Sequence, residues 1–279
     1  MTEYKKFENG FEYIDVSNKS ARAKIALQGA HLFHYEQEGK KPLLWLSETS
    51  FFKAGKAIRG GVPICWPWFG EHKTDSSLPQ HGFARNFLWE LLEVNETDEY
   101  STEVRLQLKS SAESLKLWPY RFELLLRVTV AQTLTIALTT KNCDEKSFEI
   151  TSALHSYFAV ANIDNVYVEG LDKTTYFDAL TKENKMQRGN IYISKEVDRI
   201  YQEVHNPLTI HDQDRTVHIG TEGSSSVVVW NPWIDKCARM SAMKDDAYKT
   251  MLCIETANAL EDARMLQADE EYTLTAIIS

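Results

Sequence analysis

The amino-acid sequence predicts an all-β protein, a large antiparallel β-sandwich with few short helices. Apolar and polar residues alternate with a period of two in several segments, which is typical of half-buried strands. Short fully apolar runs occur as well, and strand-like segments recur from the first residues to the last. Helical periodicity is scarce, and neither a linker nor an internal repeat divides the chain. We therefore expect one domain over residues 1–279, because sandwiches of this length commonly fold as a single unit.

The alternation is clearest in the middle of the chain and is repeated near both ends. Because successive side chains of a strand point to opposite faces, the apolar members of each segment are expected to face a core. Fully apolar runs at 226–230 and 251–254 predict further strands. The apolar members of the alternating segments are Ala23, Ile25 and Leu27; Val104, Leu106 and Leu108; Val128, Val130, Leu134, Ile136 and Leu138; and Tyr272, Leu274 and Ala276.

One stretch, SSAESLKLWPY at 110–120, has the pattern of a short helix. Ser110 or Ser111 is suited to cap its one or two turns, and Pro119 is suited to end it because proline has no amide N–H to donate. Helices are therefore expected to be minor additions to a sheet structure.

Composition and charge exclude several classes of function. The formal net charge of −9 repels polyanions, and no block of lysine and arginine interleaved with aromatic residues offsets it, so we expect no nucleic-acid partner. No apolar run reaches the roughly 18 residues that a membrane span needs, and the first residues lack the apolar core of a signal peptide. We therefore expect no membrane association and a cytoplasmic location.

The four cysteines, Cys65, Cys143, Cys237 and Cys253, are widely spaced and form no C-x-x-C pair. They are expected to be reduced core thiols rather than zinc ligands. The sequence has no glycine-rich phosphate loop and no H-E-x-x-H motif. We therefore expect neither a cofactor nor a metal ion.

Polar residues interrupt the apolar pattern in four stretches. A binding site is expected there, because a buried polar group costs free energy unless it is partnered. The stretches are AIRGGVPICWPWFG (57–70), LPQHGFARNFLW (78–89), ALHSYFAV (153–160) and MLCIETAN (251–258).

The first two stretches each carry an arginine beside aromatic residues. Arg59 precedes Gly60 and Gly61, where a glycine backbone lets a ligand approach closely. The tryptophans that follow form either the wall of a pocket or a rigid edge of the core. In the second stretch an extended backbone would place His81, Phe83 and Arg85 on one face, with Gln80, Gly82 and Ala84 on the other. Arginine suits the binding of an oxyanion, although a single arginine is more often a surface residue.

The last two stretches each carry an ionisable group inside an apolar segment. ALHSYFAV predicts a buried strand in which His155 is either a hydrogen-bonded core residue or open to a cleft. Glu255 ends the apolar run of MLCIETAN and is either paired in a structural ion pair or functional.

Two further segments offer polar or aromatic candidates. Asp198 is placed either to orient a sugar hydroxyl or to pair with Arg199 on a surface loop. WNPWIDK, at 230–236, contains Trp230, Trp233 and Lys236, whose tryptophans either stack on a sugar ring or pack in the core.

Five of these motifs together resemble a known family. IRGGVPICWPWFG, LPQHGFARNFLW, ALHSYF, WNPWIDK and MLCIETAN resemble the hexose 6-phosphate mutarotases, also called glucose-6-phosphate 1-epimerases, within the aldose 1-epimerase group. The match runs in order from about residue 20 to residue 279. It implies a galactose mutarotase-like super-sandwich with the sugar site on the concave face of one sheet.

The resemblance also implies roles for individual residues. His155 and Glu255 match the catalytic pair, and Arg59 and Arg85 match the positions expected to hold the sugar phosphate. Three more residues, Gln80, His81 and Asp198, match sugar-binding positions. The implied partner is a small hexose phosphate, glucose 6-phosphate above all, bound by a monomer or weak dimer.

The implied reaction interconverts α and β anomers by ring opening. One group takes the proton of the C1 hydroxyl while another delivers a proton to the ring oxygen, which requires a base and an acid but no metal, nucleotide or covalent intermediate. Two alternatives stay open at this point. They are a mutarotase of unphosphorylated aldoses and a non-catalytic carbohydrate-binding protein of the same fold.

Overall fold

The structure is a computed structural model that describes residues 1–213 and 215–279. Its regular elements are mostly strands, joined by two short α-helices and a few 3-10 turns. The strands are β1 Thr2–Lys6, β2 Glu12–Ser17, β3 Ala21–Ala26, β4 His31–Gln37, β5 Ile64–Cys65, β6 Glu90–Asp98, β7 Ser101–Lys109, β8 Phe122–Val130, β9 Leu134–Asn142, β10 Phe148–Ile150, β11 Ser152–Leu154, β12 Tyr157–Ala159, β13 Tyr167–Glu169, β14 Thr175–Asp178, β15 Glu183–Met186, β16 Ile191–Tyr192, β17 Val197–Tyr201, β18 Leu208–His211, β19 Thr216–Glu222, β20 Ser226–Asn231, β21 Met251–Asn258, β22 Arg264–Leu266 and β23 Glu271–Ile278. The α-helices are α1 Ser114–Leu117 and α2 Trp233–Arg239, and the 3-10 turns are Ala84–Asn86, Ile163–Asn165, Ala247–Thr250 and Leu260–Asp262.

Two large sheets dominate the architecture. One has nine strands in the order β16-β13-β18-β19-β23-β9-β8-β7-β6. The other has eight strands, in the order β15-β14-β17-β20-β21-β11-β5 with β12 also paired to β21. The strand pairs within both sheets are antiparallel. A four-stranded sheet, β1-β2-β3-β4, and the pair β10-β22 complete the fold, which confirms the predicted all-β antiparallel architecture.

The main core is built from the apolar faces of these sheets. The side chains of Val104, Leu106 and Leu108 on β7 are buried in it, as the alternation predicts. The eight-stranded sheet contributes Val229 and Ile254 to the same core. The period of two therefore placed the inward faces of these strands correctly.

Strands β20 and β21 of the eight-stranded sheet are buried along their whole length, and the second face of the sheet carries the polar residues of interest. On β21, Leu252 and Ile254 belong to the main core, whereas Cys253 belongs to a separate cluster on the opposite face. Since side chains alternate along a strand, Glu255 shares the face of Cys253. The register pairs Glu255 with Val228 of β20, which belongs to that same separate cluster.

The helices are minor, as expected, but only one of them lies where the sequence predicted it. At α1 the hydroxyl of Ser111 accepts a hydrogen bond from the Ser114 amide at 3.2 Å, so Ser111 stabilises the first turn. Helix α2 was not predicted, because seven residues give too little periodicity. Its start is fixed just after the end of β20, where the Asn231 side chain accepts a hydrogen bond from the Trp233 amide at 2.9 Å. Among the described residues, no helix has the length and apolar character that a membrane crossing requires.

The stretch 153–160 is not one continuous strand, and this prediction was wrong in detail. It forms β11 and β12, which both pair with β21, and His155 and Ser156 lie between them. The amide of His155 donates to the Pro63 carbonyl at 3.0 Å. The backbone therefore bends at the histidine while its hydrogen bonds stay satisfied.

His31 gives the fold a predictable acid sensitivity. Its ring is buried, and its Nε2 donates to the Gly60 carbonyl at 2.7 Å. Burial, helped by the charge of Arg85, lowers the pKa of His31 from 6.5 to about 4. Because the folded state resists protonation, this histidine's contribution to stability is complete above pH 6.5 and is lost as the pH falls towards 4. The loss amounts to about 3 kcal/mol of unfolding free energy.

Replacing the titrating ring tests this expectation. Urea unfolding of the wild type and of His31→Gln at pH 7, 5.5 and 4 should show the wild type losing about 3 kcal/mol more than the variant over that range. Equal losses in the two proteins would show that His31 does not carry the effect.

Candidate active site

A cavity of about 1130 Å³ lies over the second face of the eight-stranded sheet. This volume is slightly larger than the roughly 300–1,000 Å³ that small-ligand sites usually occupy. Strands β17, β20 and β21 supply its floor, and the loops at 57–70 and 80–85 contribute to its walls. All seven residues singled out from the sequence line it: Arg59, Gln80, His81, Arg85, His155, Asp198 and Glu255.

His155 and Glu255 meet on the cavity floor. The His155 Nε2 lies 3.3 Å from the Glu255 Oε1, and the two side chains are 10% and 2% exposed. The His155 Nδ1 and the Glu255 Oε2 are buried without a hydrogen-bond partner among the described residues. Each group therefore keeps one polar atom that the protein leaves unsatisfied, which is unusual for buried atoms and typical of functional sites.

Aromatic rings hold the imidazole of His155 in place. The ring of Tyr157 is stacked on it at 4.8 Å between centroids with an angle of 7° between planes. Trp230 meets both rings edge-on, at 5.9 Å from His155 and 6.0 Å from Tyr157. These contacts make the surroundings of the His155–Glu255 pair rigid and largely apolar.

The surroundings shift the pKa values of the pair in opposite directions. Burial lowers the pKa of His155 well below 6.5, and the charges of Arg85 and Arg59 lower it further. Burial also raises the pKa of Glu255 well above 4.5, with the charge of Asp198 adding to the effect. Both shifts disfavour the charged forms, so the two groups hold one proton between them over a wide pH range.

Two guanidinium groups lie on the cavity wall, and each has an N–H donor without a partner among the described residues. Arg59 Nη1 donates to the Tyr157 hydroxyl at 3.5 Å, and Arg85 Nη2 donates to the Gln80 carbonyl at 2.6 Å. The Nε atoms of both arginines are buried without a partner among the described residues. Among those residues neither arginine pairs with a carboxylate, so the wall is suited to an anionic ligand group.

His81 completes the polar wall beside His155, at 5.9 Å between ring centroids. Its Nδ1 accepts the Gly70 amide at 3.1 Å, which places the proton of the neutral ring on Nε2. Burial, together with the charges of Arg85 and Arg59, lowers the pKa of His81 to about 3. The ring is therefore a neutral hydrogen-bond donor at physiological pH.

The segment 78–89 is not extended, which corrects the face assignment made from the sequence. His81 has a positive φ of 64°, and a 3-10 turn, Ala84–Asn86, follows. Phe83 is buried in the core while His81 and Arg85 line the cavity. The fold requires glycine at 82, because a Cβ there would lie 2.0 Å from the Trp66 carbonyl oxygen.

Gly60 and Gly61 serve packing rather than ligand approach, so that interpretation was also wrong. A Cβ at Gly60 would meet the Trp45 carbonyl oxygen at 2.5 Å, and one at Gly61 would meet the Leu32 carbonyl oxygen at 2.3 Å. The space beside these glycines is filled by neighbouring backbone.

The tryptophans of the sequence motifs divide between core and cavity. Trp66 is fully buried, and its Nε1 donates to the Thr140 hydroxyl at 3.1 Å. Trp68 and Trp230 line the cavity, whereas Trp233 packs on Tyr248. Only part of the predicted aromatic wall therefore faces the site.

Asp198 lies on β17 within the sheet and not on a surface loop. The Nζ of Lys236, on α2, lies 3.7 Å from the Asp198 Oδ2. The same Nζ lies 3.0 Å from the Glu196 Oε1. Burial raises the pKa of Asp198, while the charge of Lys236 opposes that rise. The alternative pairing with Arg199 is wrong, because the Arg199 guanidinium lies over the Tyr176 ring at 4.8 Å.

One group of side chains has the composition of a metal site. The ligand atoms of His155, Cys253 and Glu255 lie within 4.8 Å of one another. The sequence spacing did not predict that Cys253 lies here, because the pairing of β12 with β21 places it beside His155. Burial and the charge of Glu255 raise the pKa of the Cys253 thiol well above 9, while Arg59 lies close enough to oppose the shift. A protonated thiol beside guanidinium groups does not favour a cation.

The fold and the site together define a class of protein. An antiparallel sandwich carries a buried histidine–glutamate pair at the floor of an open cavity that fits a polar small molecule. This combination is typical of an enzyme that uses acid–base chemistry on a polar small molecule, rather than of a structural module.

Comparisons with known proteins agree with that class. Residues 12–279 match the family described as aldose 1-epimerase. A protein of Escherichia coli (strain K12) named "Putative glucose-6-phosphate 1-epimerase" is 39% identical over 270 residues, covering 95% of this chain and 90% of that one. A crystal structure of a "putative mutarotase" from Salmonella typhimurium is 36% identical with a TM-score of 0.93, covering 99% of this chain and 92% of that one.

A more distant likeness extends the fold beyond these relatives. A galactose mutarotase related enzyme from Lactobacillus acidophilus is 15% identical with a TM-score of 0.77, covering 96% of each chain. It shows the galactose mutarotase-like fold alone. The chain belongs to the aldose 1-epimerase family, and it is an isomerase of that family.

Proposed function

We propose that the protein interconverts the α and β anomers of aldohexose 6-phosphates without a cofactor, with glucose 6-phosphate as its main substrate. One observation carries this proposal. The His155–Glu255 pair, 3.3 Å apart, lines the same cavity as two arginines that have no carboxylate partner among the described residues. The name of the Escherichia coli relative supports the phosphorylated substrate.

In this proposal Glu255 takes the proton of the C1 hydroxyl and His155 gives a proton to the ring oxygen. The ring opens to an aldehyde, rotation about the C1–C2 bond exposes its other face, and reversal of both transfers closes the other anomer. The mechanism needs one exchangeable proton on the pair, carried by the acid and missing from the base. The buried His155–Glu255 pair holds one such proton. The pair ends each turnover in its starting state.

The bound phosphate is expected to help set the direction of proton transfer. In the empty site the charges of Arg85 and Arg59 lower the pKa of His155. A phosphate dianion between these arginines offsets their charge, which raises the pKa of His155 and favours the imidazolium. Substrate binding thus favours the acid form of His155, and Glu255 acts as the base although the same offset removes the lowering effect of the Arg85 charge on its pKa.

The remaining polar residues are assigned to the sugar hydroxyls. His81 is a neutral donor, Asp198 is an acceptor oriented by Lys236, and Gln80 lies at the exposed side of the cavity. We also propose that residues 1–279 act as one domain, since the main core takes residues from β3, β7, β20 and β23.

Anomer exchange measured by NMR tests the proposed function. The wild type should accelerate the equilibration of α-glucose 6-phosphate well above its rate in buffer, and it should act on glucose far more slowly. A faster reaction with glucose would favour the mutarotase of unphosphorylated aldoses. Saturable sugar binding with no acceleration would favour the carbohydrate-binding alternative.

A further inference from the structure

Tyr157 contacts two parts of the cavity that have different roles in the proposed function. Its ring contacts His155 and its hydroxyl contacts Arg59. It begins β12, its backbone pairs with Cys253, and its amide donates to the Gly61 carbonyl at 2.9 Å. The residue is 2% exposed. Both the backbone and the burial therefore fix where this ring lies.

One face of the Tyr157 ring supports the imidazole of His155, and another aromatic ring, Trp45, stacks with Tyr157. The Trp45 and Tyr157 centroids are 5.8 Å apart with an angle of 22°. The Trp45 amide donates to the Tyr157 carbonyl at 2.9 Å, and its Nε1 donates to the Thr250 hydroxyl at 3.2 Å. The imidazole thus rests on aromatic rings that are themselves anchored to the backbone.

The Tyr157 hydroxyl faces the phosphate-binding side of the proposed site. It accepts from Arg59 Nη1 at 3.5 Å, a long contact of the kind that shortens when a ligand orders the donor. Burial raises the pKa of this phenol, so it stays protonated and does not act as a base. Its contribution is one of position.

We propose that Tyr157 is a positioning residue that fixes the imidazole plane through its ring and ties that plane to Arg59 through its hydroxyl. The inference rests on the proposed function and deepens it. The distance between the phosphate and the acid–base pair is then set by one side chain. A sugar that lacks the phosphate uses the ring but not the hydroxyl.

Two substitutions separate the two contributions. Tyr157→Phe keeps the ring and removes the hydroxyl, so the ratio of kcat/KM for glucose 6-phosphate to that for glucose should fall about five-fold, mainly through KM. Tyr157→Leu removes the stacked ring, so kcat should fall roughly ten-fold or more for both sugars. Phenylalanine should restore most of the kcat that leucine loses.

Tyr201→Phe is the matched control. Its hydroxyl is buried on the other face of the same sheet, where it donates to the Gln187 side chain at 2.9 Å. The substitution should lower thermal stability without changing the ratio between the two sugars. A Tyr157→Phe ratio equal to that of the wild type, or equal kcat values in the leucine and phenylalanine variants, would overturn the proposal.

The wild-type measurement distinguishes failure of this inference from failure of the proposed function. If the wild type accelerates neither sugar, the proposed function fails and the inference falls with it. If the wild type prefers glucose 6-phosphate but Tyr157→Phe keeps the full preference, only the role of Tyr157 is wrong.

Discussion

Replacing Glu255 by glutamine is expected to lower kcat for the anomerisation of glucose 6-phosphate by about 10²- to 10⁴-fold, because the reaction loses its base. The fold should survive. Burial raises the pKa of Glu255, so the native site already accommodates an uncharged side chain of nearly the same shape. NMR exchange rates at saturating substrate, together with a melting curve for each protein, measure both quantities.

His155→Asn should lower kcat over the same range, since it removes the partner of the base. The double variant should be about as slow as the slower single variant, because each transfer requires the other. Glu261→Gln is the matched control, as Glu261 is exposed and lines the same cavity. A rate within three-fold of the wild type in both single variants would remove the proposed catalytic roles.

Removing the arginines is expected to have the next largest effect, and it should depend on the substrate. A charge-assisted hydrogen bond contributes roughly 1.5 to 3 kcal/mol, so Arg59→Ala or Arg85→Ala should each lower kcat/KM for glucose 6-phosphate about 10- to 150-fold. Glucose has no phosphate to lose, so its kcat/KM should change much less. Initial rates with both sugars over a range of concentrations give the comparison.

Arg105→Ala provides the control for loss of a positive charge. Arg105 lies on β7 in the nine-stranded sheet, where it pairs with Glu93 and Glu103. Removing it should leave both substrates unaffected. If the arginine variants slowed glucose and glucose 6-phosphate by the same factor, the guanidinium groups would act on something other than the phosphate.

The strands were predictable because their signal is local. The alternation at Val104, Leu106 and Leu108 predicts which face of the strand packs on the core. Those three residues are buried in the structure. The break between β11 and β12 was not predictable in the same way. It depends on β21, about one hundred residues away, pairing with both strands and leaving His155 between them.

The candidate site could be predicted as a set of residues but not as a geometry. Motif resemblance selected seven residues, and all of them line one cavity. The backbone conformation between His81 and Arg85 was not predicted correctly, because it depends on Gly82 packing against the Trp66 carbonyl. The parts played by Tyr157 and Cys253 in the surroundings of the pair also depend on strand register, which local sequence does not specify.

A crystal structure with 1,5-anhydroglucitol 6-phosphate, a ring-closed analogue without the C1 hydroxyl, tests the central claim most directly. The account predicts phosphate oxygens within hydrogen-bond distance of Arg59 and Arg85, and the ring oxygen within hydrogen-bond distance of His155. A phosphate bound away from both arginines, or a sugar ring that contacts neither His155 nor Glu255, would contradict it.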